Sequence, residues 1–317
     1  MNKSVVLSIV IPTKNRARLL EQVLESIERQ PADPDVYEVL VIDNGSTDET
    51  KDVAKAFQGK IKNFRYFYDA RPGLHVGRNK GLLKSRGELV GYLDDDVILF
   101  PNWINAVIDA FEDEKIVRLG GSVIPYNMEI LSKEFRDKYE IVRGNFHFVY
   151  CISCFWQAGI SEQDNRVCRA KADMGFGGNS VYRKSILLKC RGFHPDGMPK
   201  HLLMYRGDGE TYVEDFIMSH NMKELYCAQV SVYHMIDEKR VDDTYIDYMH
   251  FRNGISSMYT NLRKDALKGG MKHFCHILWE GVSTRRFNKE INGELYLLLY
   301  YIFYKKIRYW VHKESYF

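Results

Sequence analysis

Cysteine is scarce in this chain, and what there is lacks a metal-binding rhythm. The 317 residues hold six: Cys151, Cys154, Cys168, Cys190, Cys227 and Cys275. Only Cys151 and Cys154 stand close, inside an apolar stretch, and no second pair follows at ligand spacing, so nothing supports a zinc site. Buried free thiols are the expected state. Charge of one sign is lacking too. Lys and Arg number 45 against 42 Asp and Glu, a net +3, which gives no ground for a nucleic-acid partner. No apolar run reaches the roughly 20 residues of a membrane span; Leu295 to Tyr304 comes nearest. No leader-like segment precedes the first strand, which makes a cytoplasmic protein the expectation.

Glycine is absent where two common nucleotide folds need it. After the first apolar run comes Pro12-Thr13-Lys14-Asn15-Arg16, so neither a dinucleotide-binding G-x-G-x-x-G turn nor a Walker A loop is present. Gly175-Phe176-Gly177-Gly178-Asn179 comes much later and reads as a close approach of backbone to a ligand or strand.

What is present is alternation. Val5–Ile11 is a short β-branched run, the pattern of a strand covered on both faces. A helical face of Leu19, Leu20, Val23, Leu24 and Ile27 follows between Arg16 and Gln30. A second strand, Tyr37–Ile42, runs into Asp43. Ser46 and Glu49 stand at capping-box spacing before a helix to Phe57. Phe64–Tyr68, a helix over Val76–Ser85 and a strand Leu89–Leu93 complete the series. Strand and helix in turn imply an open, mostly parallel sheet whose strand ends, with Thr13, Asp43 and Asp94, share one edge.

The fourth strand ends in Asp94-Asp95-Asp96. Three adjacent carboxylates repel one another and call for a cation; hard oxygen donors suit Mg²⁺ or Mn²⁺. A solvated acidic turn is the plain alternative. Further on, the pattern predicts a helix over Asn102–Phe111, a strand over Val117–Ile124, a helix over Lys184–Lys189 and a helix entered from Gly207-Asp208-Gly209-Glu210. Strands around Glu224–Ala228 and Val230–His234 follow. Residues 126–172 show no clear pattern. Helical pieces are expected at 243–265, 270–285 and 292–312.

With these motifs assembled, the chain resembles the family-2 glycosyltransferases of the GT-A fold. The resemblance rests on Ser8–Arg16, Val41–Asp48, Gly77-Arg78-Asn79-Lys80-Gly81, Leu93–Asp96 with Pro101-Asn102-Trp103, and Gly177–Ser180 with Tyr182-Arg183 and Gly192-Phe193. It implies a Rossmann-like α/β catalytic domain over 1–240, with a nucleotide-binding half (1–125) and an acceptor half (126–240). Residues 241–317 would form a C-terminal helical segment.

The resemblance implies transfer of a sugar, with inversion, from a nucleotide-sugar, UDP-linked by expectation, to an acceptor hydroxyl. The acceptor would be a glycan or lipid-linked glycan, as in bacterial surface polysaccharide assembly. Pro12, Thr13, Asn15, Arg16, Asp43, Arg78, Asp94 and Asp95 would form the nucleotide site, the role of Asp95 being open. Asp96, with Asp94 and His234, would hold Mn²⁺ or Mg²⁺. Gly178, Asn179 and Trp103 would face the sugars. Helical spacing also suits Trp103 to the core. The base that deprotonates the acceptor would be Glu210, with Asp208 and then the pair Glu214-Asp215 as alternatives; helix capping is the plain reading of these acids.

Residues 292–317 turn from apolar to basic and aromatic. That composition suits the inner face of a membrane, packing on the catalytic domain, or a contact in a homo-oligomer. Two other functions compete. A nucleotidyltransferase would need a Gly-rich basic loop after the first strand, which is missing. A non-catalytic glycan-binding module would dispense with the base and the metal aspartates, which are present.

Overall fold

The structure, a computed structural model, describes residues 5–71, 73–138, 147–149, 154–156, 165–168, 177–194, 209–283, 289–303 and 311–312. Its first half follows the expected alternation: β1 (Leu7–Thr13), α1 (Ala17–Glu28), β2 (Tyr37–Asp43), α2 (Thr50–Phe57), β3 (Phe64–Tyr68), α3 (Leu74–Lys84) and β4 (Leu89–Leu93). These strands lie side by side in the order β4, β1, β2, β3, all parallel. Alternate residues of β1 and β2 serve two cores. Leu7, Ile9, Ile11, Val39 and Val41 pack on one face, and Val10, Leu40 and Ile42 on the other. A sheet buried on both sides is why these strands are apolar almost throughout.

The chain continues through β5 (Val97–Leu99), α4 (Trp103–Ala110), β6 (Ile116–Gly120), β7 (Val123–Pro125), α5 (Lys133–Lys138), β8 (His147–Val149), β9 (Cys154–Trp156) and β10 (Asn165–Cys168). Then come β11 (Asn179–Arg183), α6 (Lys184–Lys189), α7 (Gly209–Ser219), β12 (Lys223–Cys227) and β13 (Val232–His234). The large sheet extends beyond β4 in the order β11, β6, β12, β10. β11 runs antiparallel between β4 and β6, and β10 antiparallel to β12. A second sheet has the order β5, β13, β7, β9, β8. Asp94–Asp96 therefore lies where the chain leaves one sheet, after β4, and enters the other at β5.

Two local expectations are corrected. Val117–Ile124 is two strands in two sheets, because Gly121 sits directly against the carbonyls of Val230 and Cys227. The chain bends there where a side chain has no room. The Ser46–Glu49 capping box does not form. α2 begins at Thr50, whose N–H is accepted by Asp48 (3.2 Å). Ser46 instead accepts the amide of Asn15 (2.9 Å) and joins the two loops at the sheet edge.

At the C-terminus, α8 (Asp243–Ser283) breaks at Asp265–Ala266, where Ala266 takes φ 51°, and α9 (Lys289–Phe303) follows. Ile255, Met258, Tyr259 and Leu262 of α8 and Leu297, Leu298 and Tyr301 of α9 bury one another with Val311. This unit is tied to the rest of the fold. Tyr259 pairs with His194 (3.1 Å), and Arg263 and Lys264 reach Asp215 of α7 (3.1 and 2.8 Å). No described helix is long and apolar enough to cross a membrane.

Candidate active site

The strand register assembles the site. Thr13 at the end of β1 is level with Asp43 at the end of β2, and Asp94 follows β4 on the other side of β1. Pro12 is buried and ends the strand's apolar run. Thr13 donates its hydroxyl to Asp95 Oδ2 (2.7 Å). Arg16 Nη1 reaches Asp95 Oδ1 (2.8 Å) and Asp96 Oδ2 (2.9 Å). Asn15, with φ 52°, accepts from the Thr47 amide (2.7 Å).

Asp43 builds the turn after β2. Its Oδ1 accepts the amides of Gly45 (3.0 Å) and Ser46 (2.7 Å), and its Oδ2 accepts the hydroxyl of Tyr66 (2.6 Å). Gly45 has φ 89°, a conformation glycine adopts without strain. Both carboxylate oxygens thus accept bonds inside the protein, and the side chain is 1% exposed. An ionised carboxylate has about four acceptor sites, so these three bonds do not exhaust Asp43. Tyr66 was missed by sequence reasoning, since its link to Asp43 exists only through strand pairing.

The three aspartates differ. Burial pushes Asp95 up, with Asp96 adding to the effect against Arg16, to about 6. Asp96 is equally buried, yet His234, Arg16 and Arg240 outweigh burial and hold it well below the usual range. Burial also raises Asp94, against the opposing pull of Arg78. Arg240 has no sequence signature; a short turn over Glu238–Arg240 brings its Nη2 to 3.6 Å from Asp96 Oδ2.

Among the described residues no group of three His, Cys, Asp or Glu forms a metal cage. Two donors do face one another: Asp96 Oδ1 and His234 Nε2, 3.4 Å apart. That Asp96 oxygen is buried, with the His234 ring beside it at a long 3.4 Å. A buried carboxylate oxygen so weakly partnered is costly, and a divalent cation, which takes carboxylate and imidazole donors, would fit there.

On the other side, Arg78 of α3 is 1% exposed. Its Nη1 donates to Glu210 Oε1, and its Nη2 to Asp94 Oδ1 (3.2 Å) and the Gly177 carbonyl (2.8 Å). Burial would raise Glu210; Arg78, with help from His75, overcomes it and holds the carboxyl at about 2. His75 was also missed, because it stands one turn before Arg78 and meets α7 only in the fold. A Cβ on Gly177 would overlap the Glu210 carboxylate, and one on Gly178 would stand 2.8 Å from Asp94 Oδ2. The two glycines let this turn lie against both acids.

Arg78 is buried beneath the Asp94 and Glu210 carboxylates. Other sequence expectations are corrected. Trp103 is fully buried and donates to Asn179 Oδ1 (3.2 Å); Asn179, also fully buried, donates to the Val230 carbonyl (2.6 Å). Both join α4, β11 and the 228–230 turn, and neither faces a sugar. Glu214 pairs with Arg118 (3.1 Å) inside the fold and Asp215 faces α8, so neither stands with Asp94. Asp208 lies outside the described residues.

The family model "Glycosyl transferase family 2" matches residues 8–191, more than half of the chain. A validoxylamine A glucosyltransferase of Streptomyces hygroscopicus is 36% identical over 107 residues, 33% of this chain and 23% of its own length. A Campylobacter jejuni GalNAc(5)-diNAcBac-PP-undecaprenol beta-1,3-glucosyltransferase is 33% identical over 134 residues, 42% of each chain. The matched part thus spans less than half the length of these relatives. The mannosyltransferase PcManGT from Pyrobaculum calidifontis, solved with GDP-Man and Mn²⁺, superposes with a TM-score of 0.52 at 17% identity. The superposition covers 93% of this chain and 70% of that one, a likeness of fold. A GT-A sheet edge bearing the acidic cluster, and a family match running from the first strand past the Gly177-Gly178 turn, place this chain in glycosyl transferase family 2.

Proposed function

We propose that the chain transfers a sugar from a nucleotide-sugar to an acceptor hydroxyl, with inversion and with a divalent metal. The observation that carries this reading is the pairing of two carboxylates, Asp94 on the β4 end and Glu210 at the start of α7, across one guanidinium. The first belongs to the donor side of a GT-A edge. The second is a part-exposed carboxylate on the acceptor side and is ionised at neutral pH.

In a single displacement the acceptor oxygen forms the bond to the anomeric carbon. The bond from that carbon to the diphosphate breaks, and the nucleoside diphosphate leaves with the bonding pair. Glu210 takes the acceptor proton. Arg78 orients the carboxylate by its hydrogen bond, and in doing so makes it a weaker base than an ordinary carboxylate.

Asp96 and His234 are the residues that would hold Mn²⁺ or Mg²⁺, with Asp94 beside them. When bound, the ion neutralises charge developing on the departing diphosphate. A divalent cation on Asp96 and His234 would offset the repulsion between the diphosphate and the adjacent carboxylates of Asp94, Asp95 and Asp96. Arg16, with its side chain 38% exposed, is the guanidinium best placed to meet phosphate.

The name of the Campylobacter relative includes an undecaprenol-linked acceptor, and a lipid-linked glycan is the acceptor class we infer here. Thermal shift with UDP, GDP, dTDP and CMP, each with and without Mn²⁺, tests the donor site, since a ligand of the folded state raises Tm by mass action. The expected result is a shift with one nucleotide that needs Mn²⁺ and is lost in Asp96→Asn. No shift with any nucleotide would sink the transferase reading in favour of a binding module.

A further inference from the structure

The residues around Arg78 differ sharply in how they meet solvent. The Arg78 side chain is 1% exposed, whereas those of Asp94 and Glu210 are 35% and 27% exposed. The guanidinium is underneath, and the carboxylates are its lid. Behind it stand the rings of Tyr92 and Phe193, centred 6.0 and 5.8 Å away. The next residue, Asn79, pins Phe193 by two hydrogen bonds to its backbone (2.9 and 2.8 Å). A phosphate arriving from solvent would meet the two acids before the arginine.

We propose that Arg78 is a positioning residue and not a nucleotide ligand: its planar fork sets the spacing between Asp94 on the donor side and Glu210 on the acceptor side, and orients the Glu210 carboxylate for the acceptor proton. This rests on the reading of Glu210 as the base. Two parallel N–H groups on one rigid plane can hold two acids from separate elements at a fixed separation, which an ammonium cannot do. The Gly177 carbonyl takes a further N–H and keeps the fork from turning. Gly177 also leaves room for Glu210 to lie on Arg78, because a methyl group there would occupy the carboxylate's place. His75, Arg118 and Tyr182 also act on Glu210, but the hydrogen bond comes from Arg78.

The test separates binding from turnover. Arg78→Lys keeps the charge and loses the fork. Its Kd for UDP or GDP with Mn²⁺, measured by calorimetry, should stay within about twofold of the parent, while kcat falls at least about tenfold with donor KM unchanged. Gly177→Ala, which displaces Glu210 and spares the buried cation, should show the same split and carries the test if Arg78→Lys does not fold. In Arg78→Lys/Glu210→Gln, kcat should fall no further than in Glu210→Gln alone, since both changes disable one unit. The proposal is overturned if either single variant weakens nucleotide binding about tenfold while keeping kcat, the pattern of a ligand. It is also overturned if the two kcat losses multiply. A failure of the base reading shows elsewhere: Glu210→Gln would then turn over at the parental rate.

Discussion

Replacing Glu210 by Gln should remove a pH-dependent part of this protein's stability. The carboxyl is held at about 2 against an ordinary 4.5. Burial alone would push it the other way, and the Arg78 guanidinium reverses the sign. Each pH unit between folded and unfolded values is worth about 1.4 kcal/mol, so ionised Glu210 stabilises the fold by about 3 kcal/mol. Because the folded carboxyl titrates below the unfolded one, this contribution is complete above about pH 4.5 and disappears as the pH falls towards 2. Gln has the shape of the protonated acid and cannot gain it at any pH. Urea denaturation of parent and variant at pH 7, 5, 4 and 3 measures the gap between them. The gap should be about 3 kcal/mol at pH 7 and close steadily below pH 4.5. Taking the difference cancels the other depressed acids, such as Asp69 and Asp96. A gap that is absent, or the same at every pH, would refute the Arg78–Glu210 ion pair as drawn.

Two further outcomes follow from the geometry. Trp103→Phe removes the hydrogen bond to Asn179 and leaves a void against Gly91, which should cost about 1–3 kcal/mol in urea denaturation and leave nucleotide affinity unchanged; a loss of affinity without a loss of stability would return Trp103 to the ligand pocket. The membrane-surface reading of residues 292–317 concerns Leu295 and Leu299, 37% and 43% exposed on α9. Leu295→Ser/Leu299→Ser should reduce sedimentation with anionic liposomes, and equal sedimentation would refute that reading. Truncation is the poorer probe, because Leu297, Leu298, Tyr301 and Val311 are core.

Much of the donor side was legible before folding. Short apolar runs at β1, β2 and β4 read as strands covered on both faces, and parallel pairing then puts Thr13, Asp43 and Asp94 on one edge. Those are consequences of local pattern. The capping box failed because Ser46 had a non-local choice, the Asn15 amide, which no spacing rule sees. Val117–Ile124 split because its glycine met a carbonyl from residue 230. Of the described strands after residue 126, β8 pairs with its neighbour β9, but β9 also joins β7 and β10 joins the distant β12, and strands of three or four residues are too short to show a period of their own.

The amino-acid order by itself determined the alternation of strand and helix, the acidic end of β4 and the glycine pair that must pass close to something. Each follows from backbone preference and burial over a few residues. Only the tertiary structure decided what those features touch. It put Trp103 and Asn179 inside and drew Glu214 into a buried pair with Arg118. It also placed Arg78 under two acids that lie 16 and 132 residues away along the chain. Such contacts arise when separate elements pack, and the energy of a buried charge depends on which partners packing brings to it.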